Sequence, residues 1–187
     1  MIMSANNPHL VTGKFINPKL AVTHFHLRAG DAVGDFGAGV GDLTINLAKA
    51  VGTKGKVYAL EIQKELLNTL SANAHSQGLN NISALWCDLE VLGGSKINDD
   101  ALDVGVIVNT LFQIEDKINF ALEVKRVLRS GAKLFIIDWT YSFRGMGPPA
   151  EQVINEQSAR DLFESQGFLF ERTFPAGAKH YGLALRL

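Results

Sequence analysis

The sequence predicts an α/β fold: a doubly wound, seven-stranded and mostly parallel sheet that has helices on both faces and ends in an antiparallel hairpin. Three observations predict it. Short apolar segments that end in a carboxylate alternate with segments of helical periodicity. A glycine-rich turn follows the first of these apolar segments. Two further strand-like segments, joined by a short connection that contains glycine, close the chain.

Composition predicts one domain, residues 1–187, of ordinary globular character, with 47% hydrophobic and 20% charged residues. The net charge of −1 gives no overall attraction to nucleic acid. Cys87 is the only cysteine, so an intramolecular disulfide is excluded, and the N-terminus lacks the pattern of a secretion signal. No apolar run approaches the ~20 residues of a membrane helix. We expect a cytoplasmic protein without a membrane or nucleic-acid partner, and leave the oligomeric state open.

The first 30 residues are predicted to form an arm followed by a helix. Residues 1–13 show no periodicity. Asn17 and Pro18 have the residue types that favour a helix start, and Gly30 is predicted to end the helix. His24 lies on the apolar face of this helix, which favours a packing role over a catalytic one.

Residues 31–44 predict a strand, a glycine turn and the start of a helix. Glycine at every second position of the turn allows the backbone to bend sharply and to approach a ligand closely. Apolar residues then recur at four-residue spacing from Leu43, and Gly52 is predicted to end the helix. Such a turn is expected to direct free backbone N–H groups, and the positive end of the helix, at a ligand.

The acidic residues that flank the glycines favour one class of ligand over another. A dinucleotide fold has the spacing G-x-G-x-x-G and binds an anionic pyrophosphate at the helix N-terminus. This turn has G-x-G-x-G between Asp35 and Asp42. Carboxylates repel a pyrophosphate and attract an ammonium or a sulfonium. The turn therefore favours a cationic nucleoside that carries an amino-acid group.

Residues 35–41 resemble motif I of the class I S-adenosylmethionine-dependent methyltransferases. The resemblance implies an enzyme with a Rossmann-like methyltransferase fold, S-adenosylmethionine as the methyl donor and S-adenosylhomocysteine as the product. It also implies that this motif supplies six residues of the donor site: Asp35, Phe36, Gly37, Ala38, Gly39 and Gly41.

The next two predicted strands, residues 55–61 and 81–88, also end in carboxylates, and an amphipathic helix that ends at Gly78 separates them. Glu61 follows Gly41 by 20 residues, the spacing at which nucleotide-binding α/β folds place an acid for the ribose hydroxyls. Parallel strands bring such ends to one edge of a sheet. The resemblance implies ribose contacts from Glu61 and Ile62, and adenine contacts from Asp88 and Leu89.

Residues 101–108 are almost continuously apolar, as in a strand that is buried on both faces. Asn109 follows this strand, and the resemblance implies that it contacts the donor. A helix over residues 116–128, ended by Ser130-Gly131, is predicted to precede a strand over residues 132–138. Residues 126–139 resemble the helix-turn-strand of small-molecule methyltransferases, including the ubiquinone- and menaquinone-biosynthesis type.

Residues 140–157 contain two glycines and two prolines and are predicted to form a substrate lid. Ser158-x-x-Asp161 resembles a capping box and predicts the start of a helix that ends at Gly167. Residues 168–174 and 180–187 predict the closing hairpin.

The resemblance implies the sheet order 3-2-1-4-5-7-6, which places the hairpin loop at the ligand edge. A general base for the acceptor, where one is needed, is then expected from this edge. The candidates are His180, Tyr181, Asp138 and Tyr141. His180 is preferred because the unperturbed pKa of histidine lies near neutrality.

A small-molecule acceptor is expected, with protein lysine as the alternative and RNA as the least favoured acceptor. Two other interpretations stay open: a non-catalytic nucleoside-binding module, and a nicotinamide-dependent oxidoreductase, for which the G-x-G-x-x-G spacing is missing. The histidines show no ligand-like spacing, so no metal site is predicted.

Overall fold

The computed structural model describes residues 16–143 and 147–187 and contains a seven-stranded sheet. The strands are β1 Ala32–Phe36, β2 Lys56–Glu61, β3 Ile82–Trp86, β4 Leu102–Val108, β5 Leu128–Trp139, β6 Leu169–Thr173 and β7 His180–Arg186. The helices are α1 Pro18–Phe25, α2 Asp42–Val51, α3 Lys64–Ser76, α4 Lys117–Val127 and α5 Glu156–Ser165. Short 3₁₀ helices cover Leu111–Gln113 and Ala150–Gln152.

The strand order is β3-β2-β1-β4-β5-β7-β6, which confirms the order that the family resemblance implied. The five strands from β3 to β5 pair in parallel, whereas β7 runs antiparallel to both β5 and β6. The predicted α/β class and the closing antiparallel pair are therefore confirmed. Because β1 to β4 are parallel, the segments that follow them leave the sheet at one edge.

Two layers of apolar side chains cover the faces of the sheet. On one face, Phe120 and Phe163 from α4 and α5 pack with Phe36 and Ile107. On the other face, residues of α1 and α2 such as Phe25 and Leu47 pack with the intervening strand residues. Alternate strand residues thus face opposite helical layers, and this burial holds the strand ends in fixed relative positions.

Helix α1 ends earlier than the sequence predicted. It runs over Pro18–Phe25, and His26 adopts the left-handed conformation at its C-terminus with φ 48°. Gly30, the predicted stop, lies in the turn that leads to β1 and donates its N–H to the Val51 carbonyl. The start was predicted correctly, since the Asn17 side chain accepts hydrogen bonds from the N–H groups of Lys19 and Leu20.

Ser130-Gly131 does not separate a helix from a strand, because β5 already begins at Leu128. The β4–β5 register shifts there: Leu102 pairs with Leu128, whereas Val104 pairs with Lys133. Gly131 has φ 77° within this irregularity and donates its N–H to the Leu187 carbonyl. The turn residues therefore form a bulge within a longer strand.

Helix α5 also begins earlier than predicted. The Asn155 side chain, and not Ser158, caps it by accepting a hydrogen bond from the Ser158 N–H at 2.8 Å. Gln157, the last residue of the predicted lid, therefore belongs to the helix.

The predicted arm over residues 1–13, and residue Gly145 of the lid, lie outside the described residues. Among those described, no helix has the length and apolar character needed to cross a membrane.

Candidate functional site

A cavity of about 560 Å³ lies at the C-terminal ends of β1 to β4. Most of the predicted donor-site residues meet on its wall. They are Asp35, Gly37, Ala38, Gly39, Glu61, Ile62, Asp88, Leu89 and Asn109. The structure thus brings together side chains that are up to 74 residues apart in the sequence, between positions 35 and 109.

Phe36 and Gly41 do not line the cavity. Phe36 is fully buried in the core beneath it and packs edge-on against Phe120. Gly41 caps α2 with φ 91°, and a Cβ at this position would lie 2.5 Å from Cγ of Leu70. Phe36 is therefore a core residue, and Gly41 forms the junction between the glycine turn and α2.

The glycine turn is held by the β2 end of the sheet. The N–H groups of Gly37 and Ala38 donate to the Leu60 carbonyl, and the Gly39 N–H donates to Oε2 of Glu61 at 3.0 Å. These three N–H groups are therefore bonded to the end of β2 and are not available to a ligand, unlike the free N–H groups that the sequence led us to expect in this turn. Gly39 has φ 56°, and a Cβ at this position would meet open space.

Asp35 and Glu61 bring two buried carboxylates to the cavity. The Asp35 carboxylate is 1% exposed and accepts a hydrogen bond from the Thr44 hydroxyl at 2.6 Å. Burial raises the pKa of Asp35 to about 6; the Thr44 hydrogen bond opposes this rise and the nearby Glu61 carboxylate adds to it. Two acids in a poorly solvated space attract a cationic group.

Glu61 also fixes the chain around the cavity. Its Oε1 atom accepts hydrogen bonds from the N–H groups of Ile62 and Gln63, and its Oε2 atom binds the glycine turn. One carboxylate therefore connects the end of β2, the start of α3 and the glycine turn.

The segment after β3 forms another part of the wall. Asp88 is exposed, and its Oδ1 atom accepts a hydrogen bond from the Glu90 N–H at 2.9 Å. Cys87 and Leu89 on either side are buried. Burial raises the pKa of the Cys87 thiol to about 12, so the thiol is uncharged at neutral pH.

Asn109 contributes a polar atom without a partner. It has φ 54°, its N–H donates to the Ile137 carbonyl, and its carbonyl accepts from the Gln113 side chain. The side-chain Oδ1 is buried and has no hydrogen-bond partner. Because an unpaired buried acceptor is costly, this atom is suited to a ligand donor.

Sequence reasoning missed several residues of this site. Thr110 lies against the glycine turn: a Cβ on Gly37 would be 2.4 Å from its Oγ1. Thr44 holds Asp35, and Ile16 and Pro18 line the cavity from the N-terminal side. The position of Thr110 directly after Asn109 was the one available signal. The contacts of Thr44, Ile16 and Pro18 form only when the folded chain brings separate segments together, so no local signal in the sequence predicts them.

The base candidates lie beside the cavity and do not line it. In the β5–β7 pair, Asp138 is opposite Tyr181 and Trp139 is opposite His180. Asp138 is buried, and burial raises the pKa of its carboxylate to about 6. The backbone hydrogen bonds that the carboxylate accepts act in the opposite direction and lower the pKa. Tyr141 is exposed, and its ring lies against the Phe143 ring at a tilt of 33°.

His180 and Tyr181 each carry a buried polar atom without a partner, namely Nε2 and the hydroxyl. Burial lowers the pKa of His180 to about 4, with Lys179 adding to the effect, so the imidazole is neutral at pH 7. The His180 ring lies 4.3 Å from the Trp139 ring. Burial raises the pKa of Tyr181, so its hydroxyl stays protonated.

Residues 27–167 match the family described as methyltransferase domain. The chain belongs to this family. The class I methyltransferase resemblance of the glycine turn is thereby confirmed.

Over residues 16–143 and 147–187, no cluster of three or more His, Cys, Asp or Glu side chains suited to a metal ion is found.

A solved methyltransferase has the same architecture. The crystal structure of a SAM-dependent methyltransferase from Aquifex aeolicus superposes with a TM-score of 0.84 and 30% sequence identity, over 92% of this chain and 90% of that chain.

Two curated methyltransferases are similar over part of their length. The ubiquinone/menaquinone biosynthesis C-methyltransferase UbiE of Marinomonas sp. is 28% identical over 154 residues, which cover 74% of this chain and 60% of that protein. The 2-phytyl-1,4-naphtoquinone methyltransferase of Nostoc punctiforme is 30% identical over 121 residues, which cover 65% of this chain and 52% of that protein. The chain thus spans less than two thirds of the length of these relatives.

Proposed function

We propose that this protein transfers a methyl group from S-adenosylmethionine to a small-molecule acceptor and releases S-adenosylhomocysteine. The convergence of the Asp35 and Glu61 carboxylates and the unpaired Asn109 Oδ1 atom in one cavity carries the proposal. Membership of the methyltransferase family and the similarity to the Aquifex aeolicus structure support it.

The residues of the cavity fit the donor. Asp35 and Asn109 would hold its amino-acid part, since a carboxylate and an unpaired amide oxygen both accept hydrogen bonds from an ammonium. Gly37, Ala38 and Gly39 would lie under it, where the missing Cβ of Gly39 leaves open space. Glu61 and Ile62 would hold the ribose.

Asp88 and Leu89 would hold the adenine, with an exposed carboxylate for the exocyclic amine and a buried apolar side chain for the ring.

The bound sulfonium supplies an activated methyl group. The protein's work is then to hold the reactants in line and to exclude water, which can contribute roughly 7–11 kcal/mol. Asp138, Tyr181 and His180 are proposed as residues of the acceptor side, with His180 as the preferred base.

The proposed acceptor is a small molecule, because one curated relative is named for ubiquinone and menaquinone biosynthesis and the other for a naphthoquinone. Methylation of a protein is the alternative. Residues 1–187 are proposed to form a single methyltransferase domain, with the segment 140–157 on the acceptor side. The cytoplasmic location expected from the sequence stays a prediction.

Calorimetric titration with S-adenosylhomocysteine tests the proposal. We expect the wild-type protein to bind and Glu61→Ala to bind at least tenfold more weakly, because the ribose loses its acceptor and the glycine turn loses its anchor. Glu65→Ala, in the first turn of α3, is the matched control. A Glu61→Ala protein that folds and binds as tightly as wild type would contradict the assignment.

Turnover of a labelled methyl donor separates an enzyme from a binding module. We expect the protein to transfer labelled methyl groups to a component of a pooled metabolite extract. Binding of S-adenosylhomocysteine without any transfer, to metabolites or to added protein, would favour the non-catalytic alternative.

A further inference from the structure

The loop between β3 and β4, residues 87–101, carries Asp88 and contains neither a helix nor a strand. Its position therefore depends on contacts with the rest of the fold. Helix α4 supplies them through Glu123, whose side chain is fully buried. Its carboxylate accepts hydrogen bonds from the backbone N–H groups of Gly93 at 2.7 Å and Ser95 at 3.1 Å. One buried side chain thus binds the loop at two positions.

Arg126, one turn further along α4, completes this attachment. Its guanidinium donates to both oxygens of Glu123, at 2.8 and 2.7 Å. It also donates to the Ile97 carbonyl at 2.8 Å and to the Asp99 carboxylate at 2.5 Å. Burial raises the pKa of Glu123, but the hydrogen bonds from Arg126 and the loop outweigh burial and lower the pKa to about 2. The charged pair therefore holds the loop over residues 93–99.

Gly94, which lies between the two bound N–H groups, touches the backbone of Asp88. A Cβ at position 94 would lie only 2.0 Å from the Asp88 carbonyl oxygen. The Gly94 N–H donates to the Val91 carbonyl at 2.8 Å, which closes a turn against Asp88. The Asp88 side chain is bound within the same loop, because its Oδ1 atom accepts from the Glu90 N–H. A shift of the loop on α4 would therefore move the Asp88 carboxylate.

We propose that Glu123 and Arg126 are positioning residues for Asp88, and that they set the preference of the protein for a purine with a 6-amino group. Neither residue lines the cavity at the C-terminal ends of β1 to β4, so both act through the loop. The inference rests on the proposed function, because it takes Asp88 to accept a hydrogen bond from the exocyclic amine of the donor. It adds the residues of α4 on which selectivity for adenine depends.

Calorimetric titration with two nucleosides tests the inference. One is S-adenosylhomocysteine, and the other is its analogue with hydrogen in place of the 6-amino group. The ratio of the two Kd values reports the hydrogen bond to the amine, because the ligands are otherwise identical. We expect the wild-type protein to bind S-adenosylhomocysteine at least fivefold more tightly than the analogue, and Asp88→Ala to lose this preference.

Glu123→Gln should reduce the ratio to twofold or less, because an amide offers one acceptor oxygen in place of two. Arg126→Lys keeps the charge but loses the two-point contact, and should reduce the ratio in the same way. Glu164→Gln, which breaks the partly exposed ion pair with Arg160 on α5, is the matched control and should keep the wild-type ratio. A general loss of stability would weaken the binding of both nucleosides equally and leave the ratio unchanged.

Two neighbouring glycines test the contact with Asp88. Gly94→Ala would place a Cβ against the Asp88 carbonyl, and should also reduce the ratio to twofold or less. Gly93→Ala is the control. Gly93 has φ 82°, and a Cβ there would meet open space, so this variant introduces backbone strain without touching Asp88. Its ratio should equal that of the wild-type protein.

The outcomes separate the inference from the proposed function. Failure of the wild-type protein to bind S-adenosylhomocysteine would overturn both. Binding of the two nucleosides with equal affinity would overturn the adenine role of Asp88 and this inference, and would leave methyl transfer standing. The inference alone is overturned if Glu123→Gln or Gly94→Ala keeps the wild-type ratio. Should Glu123→Gln not fold, the ratio in Arg126→Lys decides in its place.

Discussion

The carboxylate of Asp138 accepts a hydrogen bond from the backbone N–H of Leu111 at 3.0 Å, and so connects the end of β5 to the turn that follows β4. Its other oxygen accepts from the Trp139 N–H at 2.8 Å, and backbone groups of Thr110 and Phe112 also stabilise its charge. This turn carries Asn109 into the cavity at the C-terminal ends of β1 to β4, which we call the donor cavity. Asp138 thereby positions a residue of the donor cavity.

Asp138→Asn should loosen this turn. The amide offers one acceptor oxygen in place of two, so at least one buried N–H loses its partner, at a cost of about 1–3 kcal/mol. We expect the free energy of unfolding to fall by that amount, and the Kd of S-adenosylhomocysteine to rise several-fold. Urea unfolding and calorimetry measure the two effects. Asp161→Asn, on α5, is the control, and equal nucleoside affinity in both variants would refute the positioning role.

Donor binding should depend on pH through Asp35. Its pKa in the folded protein is raised to about 6, mainly by burial, so the carboxylate loses its proton as the pH rises through that value. A bound ammonium favours the charged carboxylate. We expect the Kd of S-adenosylhomocysteine to fall between pH 5 and pH 7 and to level off above. Asp138, with a pKa also raised to about 6, adds to this trend by strengthening its hold on the Asn109 turn.

The variant Asp35→Asn separates the contribution of Asp35 from that of Asp138. We expect weaker binding at pH 7 and a smaller change in Kd between pH 5 and pH 7. Calorimetric titrations at four pH values suffice for the comparison. An unchanged pH dependence would show that Asp35 does not contact the ammonium.

Gly39 and Gly78 form a matched pair for testing the glycine turn. Both have positive φ, 56° and 67°, and a Cβ at either position would meet open space. An L-residue in this conformation costs roughly 1–2 kcal/mol, so Gly39→Ala and Gly78→Ala should lose similar stability. Only Gly39 lines the donor cavity. We expect at least tenfold weaker binding of S-adenosylhomocysteine by Gly39→Ala alone, and similar affinities in the two variants would contradict the donor-site assignment.

The proposed role of His180 as the general base can be tested by removing its side chain. The loss of a base should slow methyl transfer and leave nucleoside binding unchanged. The pKa of His180 is lowered to about 4, so the imidazole is unprotonated across the neutral range but is a weaker base than a free histidine, and its titration should not change the rate in that range. We expect His180→Ala to lower kcat by roughly 10²-fold or more. The Kd of S-adenosylhomocysteine should stay unchanged. His75→Ala, at an exposed position on α3, is the control. A normal kcat in His180→Ala would leave His180 a packing role against Trp139.

Local sequence was sufficient for most of the helix and strand assignments. The alternation of apolar strands and amphipathic helices, and the glycines at positions 37, 39 and 41, depend on residues close together in the chain. The errors at His26, Leu128 and Asn155 all concern where an element begins or ends. Several residues nearby could cap or stop a helix, and the choice among them depends on contacts with distant segments.

The fold class, the order of the elements and the acids near the ends of three parallel strands follow from residue order and periodicity alone. The contacts of the folded chain add that the glycine turn is hydrogen-bonded to the end of β2, that Asn109 Oδ1 is left unpaired, and that Asp138 holds the turn after β4. These two kinds of feature differ because periodicity follows from local backbone geometry. Hydrogen-bond partners and burial depend on which distant strand ends the sheet brings to one edge.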